Sequence, residues 1–225
     1  PPRRRGRSLD RPAGRRYGPA HMVPSFPTEA EARHEEGFLN SADNLRLFWQ
    51  RYTPPADALA TVLVLHGGGD HSGRYPALTT ALVRAGFQVA LVDLRGHGQS
   101  DGRRWHVDGF QDNVADLDAF VAKLSQDGVA GDQLFLLGHS HGALVATWWG
   151  LSRGRLLSGL VLSSPWFRLA LRPPLLKVLA AKVAGRFVPW LPVDAGLDLA
   201  DLTSDVDMQR WTARDPLYGR KTTPR

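Results

Sequence analysis

The feature that most constrains this chain is a short apolar run, Leu134–Leu137, that ends in Gly138-His139-Ser140-His141-Gly142. The run reads as a strand, and the residues after Ser140 read as a helix. The five residues between match G-x-S-x-G. The glycines two places either side of the serine leave room for a turn too sharp for larger side chains. A serine there projects above the edge of a sheet, which is the placement a serine nucleophile requires. The structural alternative is a glycine-rich turn carrying an ordinary serine.

The same strand-then-glycine pattern occurs earlier. Thr61–Leu65 is a continuous apolar run, and His66-Gly67-Gly68-Gly69-Asp70 comes directly after it. Continuous apolar runs mark strands buried on both faces, as in parallel sheets. Further apolar runs lie at 88–94, 133–137 and 159–163. Helical patterns at 75–85, 108–124 and after Ser140 alternate with them, and Ser41-Ala42-Asp43-Asn44 turns an opening hairpin over 37–52. This alternation predicts an α/β fold, a doubly wound and mostly parallel sheet with right-handed crossovers. With 225 residues, 43% of them hydrophobic, the chain suits one domain with a substantial core.

Charge separates a tail from the domain. Seven of the 28 basic residues and one of the 22 acidic residues lie in 1–20, which leaves 21 of each in the remainder. The basic character therefore belongs to an arm, read as a disordered tail over 1–33 with no nucleic-acid partner. The chain has no cysteine, so thiol nucleophiles and disulfides are excluded. No apolar run reaches the length of a membrane span. His66 and His71 beside Asp70 could suggest a metal site, but they fit a glycine-loop role better, so neither metal nor cofactor is expected.

His66 to Tyr75, Asp93-Leu94-Arg95-Gly96-His97-Gly98-Gln99-Ser100 and Gly138 to Gly142 together resemble the monoacylglycerol lipase and lysophospholipase branch of the α/β-hydrolases. Gly37-Phe38 with Leu45, Phe48 and Trp49, then Leu202 to Asp205 and Asp215 to Leu217, extend the resemblance over about residues 34–217. It implies an α/β-hydrolase core over 34–165, a helical lid over 166–217 and a short tail at 218–225. It further implies a serine hydrolase cleaving lipid-like carboxylic esters through an acyl-enzyme on Ser140, with the Gly68 and His141 amides as oxyanion-hole donors. His141 departs from the pattern, where a small or apolar residue is expected. The partner expected is a small lipid ester. The location expected is cytoplasmic, with peripheral membrane contact through the lid.

One absence stands against full activity. In such enzymes the acid and the histidine come after the serine in the chain. The last histidine here is His141, and none of Asp194, Asp198, Asp201, Asp205, Asp207 or Asp215 ends an apolar strand. The triad acid and base are therefore read as absent from this chain, and the last strands of the sheet as missing through truncation. About 60 further residues would supply two more strand–helix units. A poor or inactive esterase is the consequence, and the alternative is a non-catalytic binding protein built on the same fold.

Overall fold

A computed structural model describes residues 24–129, 133–153, 157–168, 174–194, 196 and 198–223. Most of the expected basic tail, residues 1–23, lies outside them. Pro24–Ala32, also assigned to that tail, packs on the domain. Phe26 stacks on Tyr52 at 5.1 Å, and Ala32 is buried.

Among the described residues the central sheet has six strands: β1 (Arg33–Asn40), β2 (Arg46–Thr53), β3 (Thr61–Leu65), β4 (Gln88–Val92), β5 (Leu134–His139) and β6 (Gly159–Ser163). They are ordered β1-β2-β4-β3-β5-β6. The β4-β3-β5-β6 pairings are parallel, and the opening hairpin joins antiparallel through β2 and β4. This is the mostly parallel α/β sheet expected. The hairpin starts four residues earlier than its apolar pattern suggests, because Arg33–Glu36 pair with β2 through backbone bonds that need no apolar side chain.

Alternation along the strands divides the core in two. Leu63 and Leu65 face one side of the sheet, with Leu117, Phe120 and Leu124 of α2 (Phe110–Gln126) and Val145 and Trp149 of α3 (His141–Arg153). Val62, Val64, Val89 and Leu91 face the other, with Val83 of α1 (Pro76–Arg84). Strands covered on both faces have no polar side to show, which is why they read as unbroken apolar runs. β6 forms one edge of the described sheet, and its Leu160 and Val161 are partly exposed.

Beyond β6 come α4 (Leu175–Phe187), α5 (Leu199–Leu202) and α6 (Val206–Arg214), with a two-stranded ribbon of β7 (Val193–Asp194) and β8 (Lys221–Thr222). The leucine stripe on α4 faces outward: Leu175 is 87% exposed and Leu176 78%. Among the described residues, no helix is long and apolar enough to cross a membrane.

Candidate active site

Ser140 sits at the junction of β5 and α3 with φ of 51°, a left-handed conformation that costs a non-glycine residue energy unless its surroundings enforce it. Here they do. Its N–H donates to the Ser163 carbonyl at 2.9 Å, while its own carbonyl accepts from Ala143, Leu144 and Trp166 at 3.1–3.2 Å. Both flanking glycines are sterically required. A Cβ on Gly138 would stand 2.5 Å from the Gly142 carbonyl oxygen, and one on Gly142 would collide with the carbonyl oxygens of Leu65 and His66. The second contact matters more, because it lets the start of α3 press against the end of β3 and brings the two glycine loops together.

The loop after β3 lies against this turn. A Cβ on Gly67 would meet the Ser140 Cβ at 3.4 Å. The two amides of that loop differ. The Gly67 N–H donates to the Tyr75 hydroxyl at 3.2 Å, and that hydroxyl donates to Asp70 at 3.0 Å. The Gly68 amide makes no hydrogen bond to the described residues, and the Trp105 ring packs over its Cα. His141 opens α3, so its N–H belongs to the first turn, where helix amides lack intrahelical partners. Its ring packs edge-on to Phe110 and Trp166, and burial lowers its pKa to about 4.

A cavity of about 410 Å³ opens above Ser140. Gly67, Gly68 and His139 share its floor with the serine. Arg74, Gln209 and Tyr218 contribute polar walls, and Leu199, Leu202 and Met208 apolar ones. The His139 ring lies at the rim, its Nδ1 3.2 Å from the Ser163 hydroxyl.

Of the other residues singled out by sequence, Asp93 caps the turns around it, accepting from the Ser72 and Gln99 amides at 2.7 and 2.8 Å. His97 is buried against His66 and Trp105, and His106 bonds to Thr223. No cluster of metal-ligating side chains occurs among the described residues.

The structure also brings together residues that no sequence motif connects. Asp215, which the sequence reading sets aside as a triad acid because it ends no apolar strand, lies 2.9 Å from His71 Nε2 and 3.4 Å from Arg74. Arg74 also bonds to Thr212, pairs with Asp70 at 2.8 Å and lies over the Trp211 and Tyr218 rings. The Gly219 N–H donates to the Gly69 carbonyl at 2.7 Å. Residues 212–219 thus clasp the glycine loop from outside. Asp70 and Arg74 repeat a common i,i+4 spacing, so the only sequence signal is the proximity of acid and arginine.

Comparison with known proteins identifies the family of the chain. The family model described as serine aminopeptidase, S33 (Hydrolase_4) matches residues 56–225, and the chain belongs to this α/β-hydrolase family. The chain is 33% identical over 168 residues to phospholipase YtpA of Bacillus subtilis, covering 74% of this chain and 64% of that protein. It is 36% identical over 189 residues to human monoglyceride lipase, covering 81% and 60%. The structure of the Paleococcus ferrophilus monoacylglycerol lipase superposes with a TM-score of 0.69 at 31% identity, covering 79% of this chain and 66% of that one. The chain therefore spans less than two thirds of the length of these relatives.

Proposed function

We propose that the chain carries the nucleophile half of a serine hydrolase that cleaves carboxylic esters of lipid-like substrates, of monoacylglycerol or lysophospholipid type. The observation that carries this reading is the strained Ser140 backbone at a strand-to-helix turn, held directly against Gly67. In this scheme the Ser140 hydroxyl attacks the ester carbonyl, its proton passes to a base, and the alcohol leaves with a proton as the acyl-enzyme forms. Water then releases the acid. The Gly68 and His141 amides hold the negative oxygen of the tetrahedral intermediate. The mixed walls of the cavity suit an amphiphile, with Leu202 and Met208 toward an acyl chain and Arg74 and Gln209 toward a polar alcohol. The names of the relatives, phospholipase and monoglyceride lipase, support the same class.

Residues 166–217 act in this reading as a lid. The outward leucines of α4, with Trp190 and Leu191 beyond them, form an apolar surface suited to peripheral contact with micelles or membranes.

A serine hydroxyl needs a base. No histidine comes after His141 in these 225 residues, and burial lowers the His141 pKa to about 4, which makes its ring a poor proton acceptor. The 225-residue chain alone is therefore a very weak esterase. Losing the base of a serine hydrolase costs on the order of 10⁶-fold. The second reading is a binding protein that keeps the fold without the reaction. Hydrolysis of a p-nitrophenyl ester by the chain and by Ser140→Ala separates the two. A slow rate, below about 1 s⁻¹, that Ser140→Ala removes supports the hydrolase. A rate identical in both supports the binding protein.

A further inference from the structure

The Gly67–Gly68 peptide has its carbonyl on one side and its N–H on the other, because no peptide bond here is cis and a trans peptide unit is planar. Whatever fixes the Gly67 carbonyl therefore fixes the direction of the Gly68 N–H. Two groups reach that carbonyl: the His66 ring through Nδ1 at 2.7 Å and the Asp70 N–H at 3.1 Å.

The tautomer of His66 is set by its other nitrogen. His66 Nε2 lies 2.9 Å from the Leu94 N–H. An amide N–H can only donate, so Nε2 is the acceptor and carries no proton. The single proton of the neutral ring is then on Nδ1, where it donates to the Gly67 carbonyl. Burial lowers the His66 pKa to about 3, with the neighbouring His71, His141 and His139 acting in the same direction. His97 packs on its ring at 5.1 Å.

We propose that His66 is a positioning residue. As an Nδ1–H imidazole it holds the Gly67 carbonyl and so aims the Gly68 N–H into the Ser140 cavity. This rests on the reading of Ser140 as nucleophile. The two neighbouring amides are thereby divided: Gly67 N–H serves the fold through Tyr75, and Gly68 N–H is kept for the reacting oxygen.

The two ring nitrogens can be replaced one at a time. The side-chain amide nitrogen of asparagine reaches the place of Nδ1 and donates, and the side-chain amide oxygen of glutamine reaches the place of Nε2 and accepts. His66→Asn keeps the donor to Gly67, whereas His66→Gln keeps a partner for Leu94 and loses that donor. The Ser140-dependent hydrolysis of p-nitrophenyl acetate by the purified chain is measured for both, with the imidazole and Gly68 amide resonances of ¹⁵N-labelled protein. We expect His66→Asn to stay within about threefold of the parent kcat. His66→Gln should lose about 10²-fold in kcat, the effect of one oxyanion donor, with KM within about twofold. The His66 ring should show the Nδ1–H tautomer and no titration between pH 5 and 8. Equal kcat in the two variants, a change confined to KM, or an Nε2–H or titrating ring would overturn the proposal. If neither variant folds, the tautomer in the parent chain decides. If Ser140→Ala leaves the rate unchanged, the nucleophile reading fails. His66 is then judged by the Gly68 amide resonance, which should be retained in His66→Asn and displaced in His66→Gln.

Discussion

The imidazole of His71 and the carboxylate of Asp215, 144 residues apart in sequence, meet at 2.9 Å with both side chains about nine-tenths buried. The His71 Nδ1 accepts from the Gly73 N–H, so Nε2 carries the proton and donates to Asp215. The contact ties the segment after α6 to the loop that carries Gly67 and Gly68. Burial alone would raise the Asp215 pKa, but bonds from His71, Leu217 and Arg74 outweigh it and hold it below the usual range.

Asp215→Ala should therefore be costly, because it leaves His71 and Arg74 without a shared partner inside the protein. Breaking such a pair costs about 3 kcal/mol. Asp215→Asn, which keeps an acceptor, should cost about 1 kcal/mol. Urea unfolding of both variants at pH 7 checks the order. Equal losses would mean that the contact contributes only packing.

Acid should destabilise the chain well above the carboxylate range. His66 and His97 are lowered to about 3 and His141 to about 4, chiefly by burial. All three stay neutral in the folded state, while the unfolded chain protonates them near pH 6.5. The unfolded state thus binds more protons between about pH 6.5 and 4, and stability falls as pH drops through that window. Three such groups give at most about 4 kcal/mol per pH unit. Urea midpoints at pH 7.5, 6.0 and 5.0 should fall steadily, and His141→Met should flatten the slope by roughly a third. A midpoint independent of pH between 7.5 and 5.0 would show that these rings titrate normally.

The local geometry around Ser140 was legible because it is written in neighbouring residues. An apolar run, two glycines and a serine between them are enough to specify a sharp turn, and Gly138 and Gly142 are glycines for steric reasons that spacing alone reveals. The alternating strands and helices were legible for a similar reason, since burial on both faces erases polar positions. The clasp of His71, Arg74 and Asp215 was not. Its partners are separated by most of the chain, and each is an ordinary polar residue until the fold brings them together. The division of labour between the Gly67 and Gly68 amides was hidden as well, because it depends on where the Tyr75 hydroxyl lands. Whether the leucines of α4 face a core or solvent was not legible either, because their helical spacing is the same in both cases.

That stripe bears on membrane contact. Leu175, Leu176, Leu179, Val183 and Phe187 are all at least half exposed. Leu175→Ser with Leu176→Ser should leave the melting temperature within about 2 °C, as surface changes usually do, while weakening binding to detergent micelles or lipid vesicles severalfold. Hydrogen exchange should show added protection over 175–191 when micelles are present. A loss of several degrees with unchanged vesicle binding would place these leucines in a structural role.

The central claim is that Ser140 is the nucleophile, and labelling tests it most directly. The purified chain is exposed to a fluorophosphonate, digested, and its modified residue located by mass spectrometry, with Ser140→Ala alongside. The account predicts a slowly formed adduct on Ser140 and none in the variant, with Ser163 and Ser164 unmodified although Ser164 also lines the cavity. An adduct on Ser163 or Ser164, or an unlabelled Ser140 after exhaustive exposure, would contradict it.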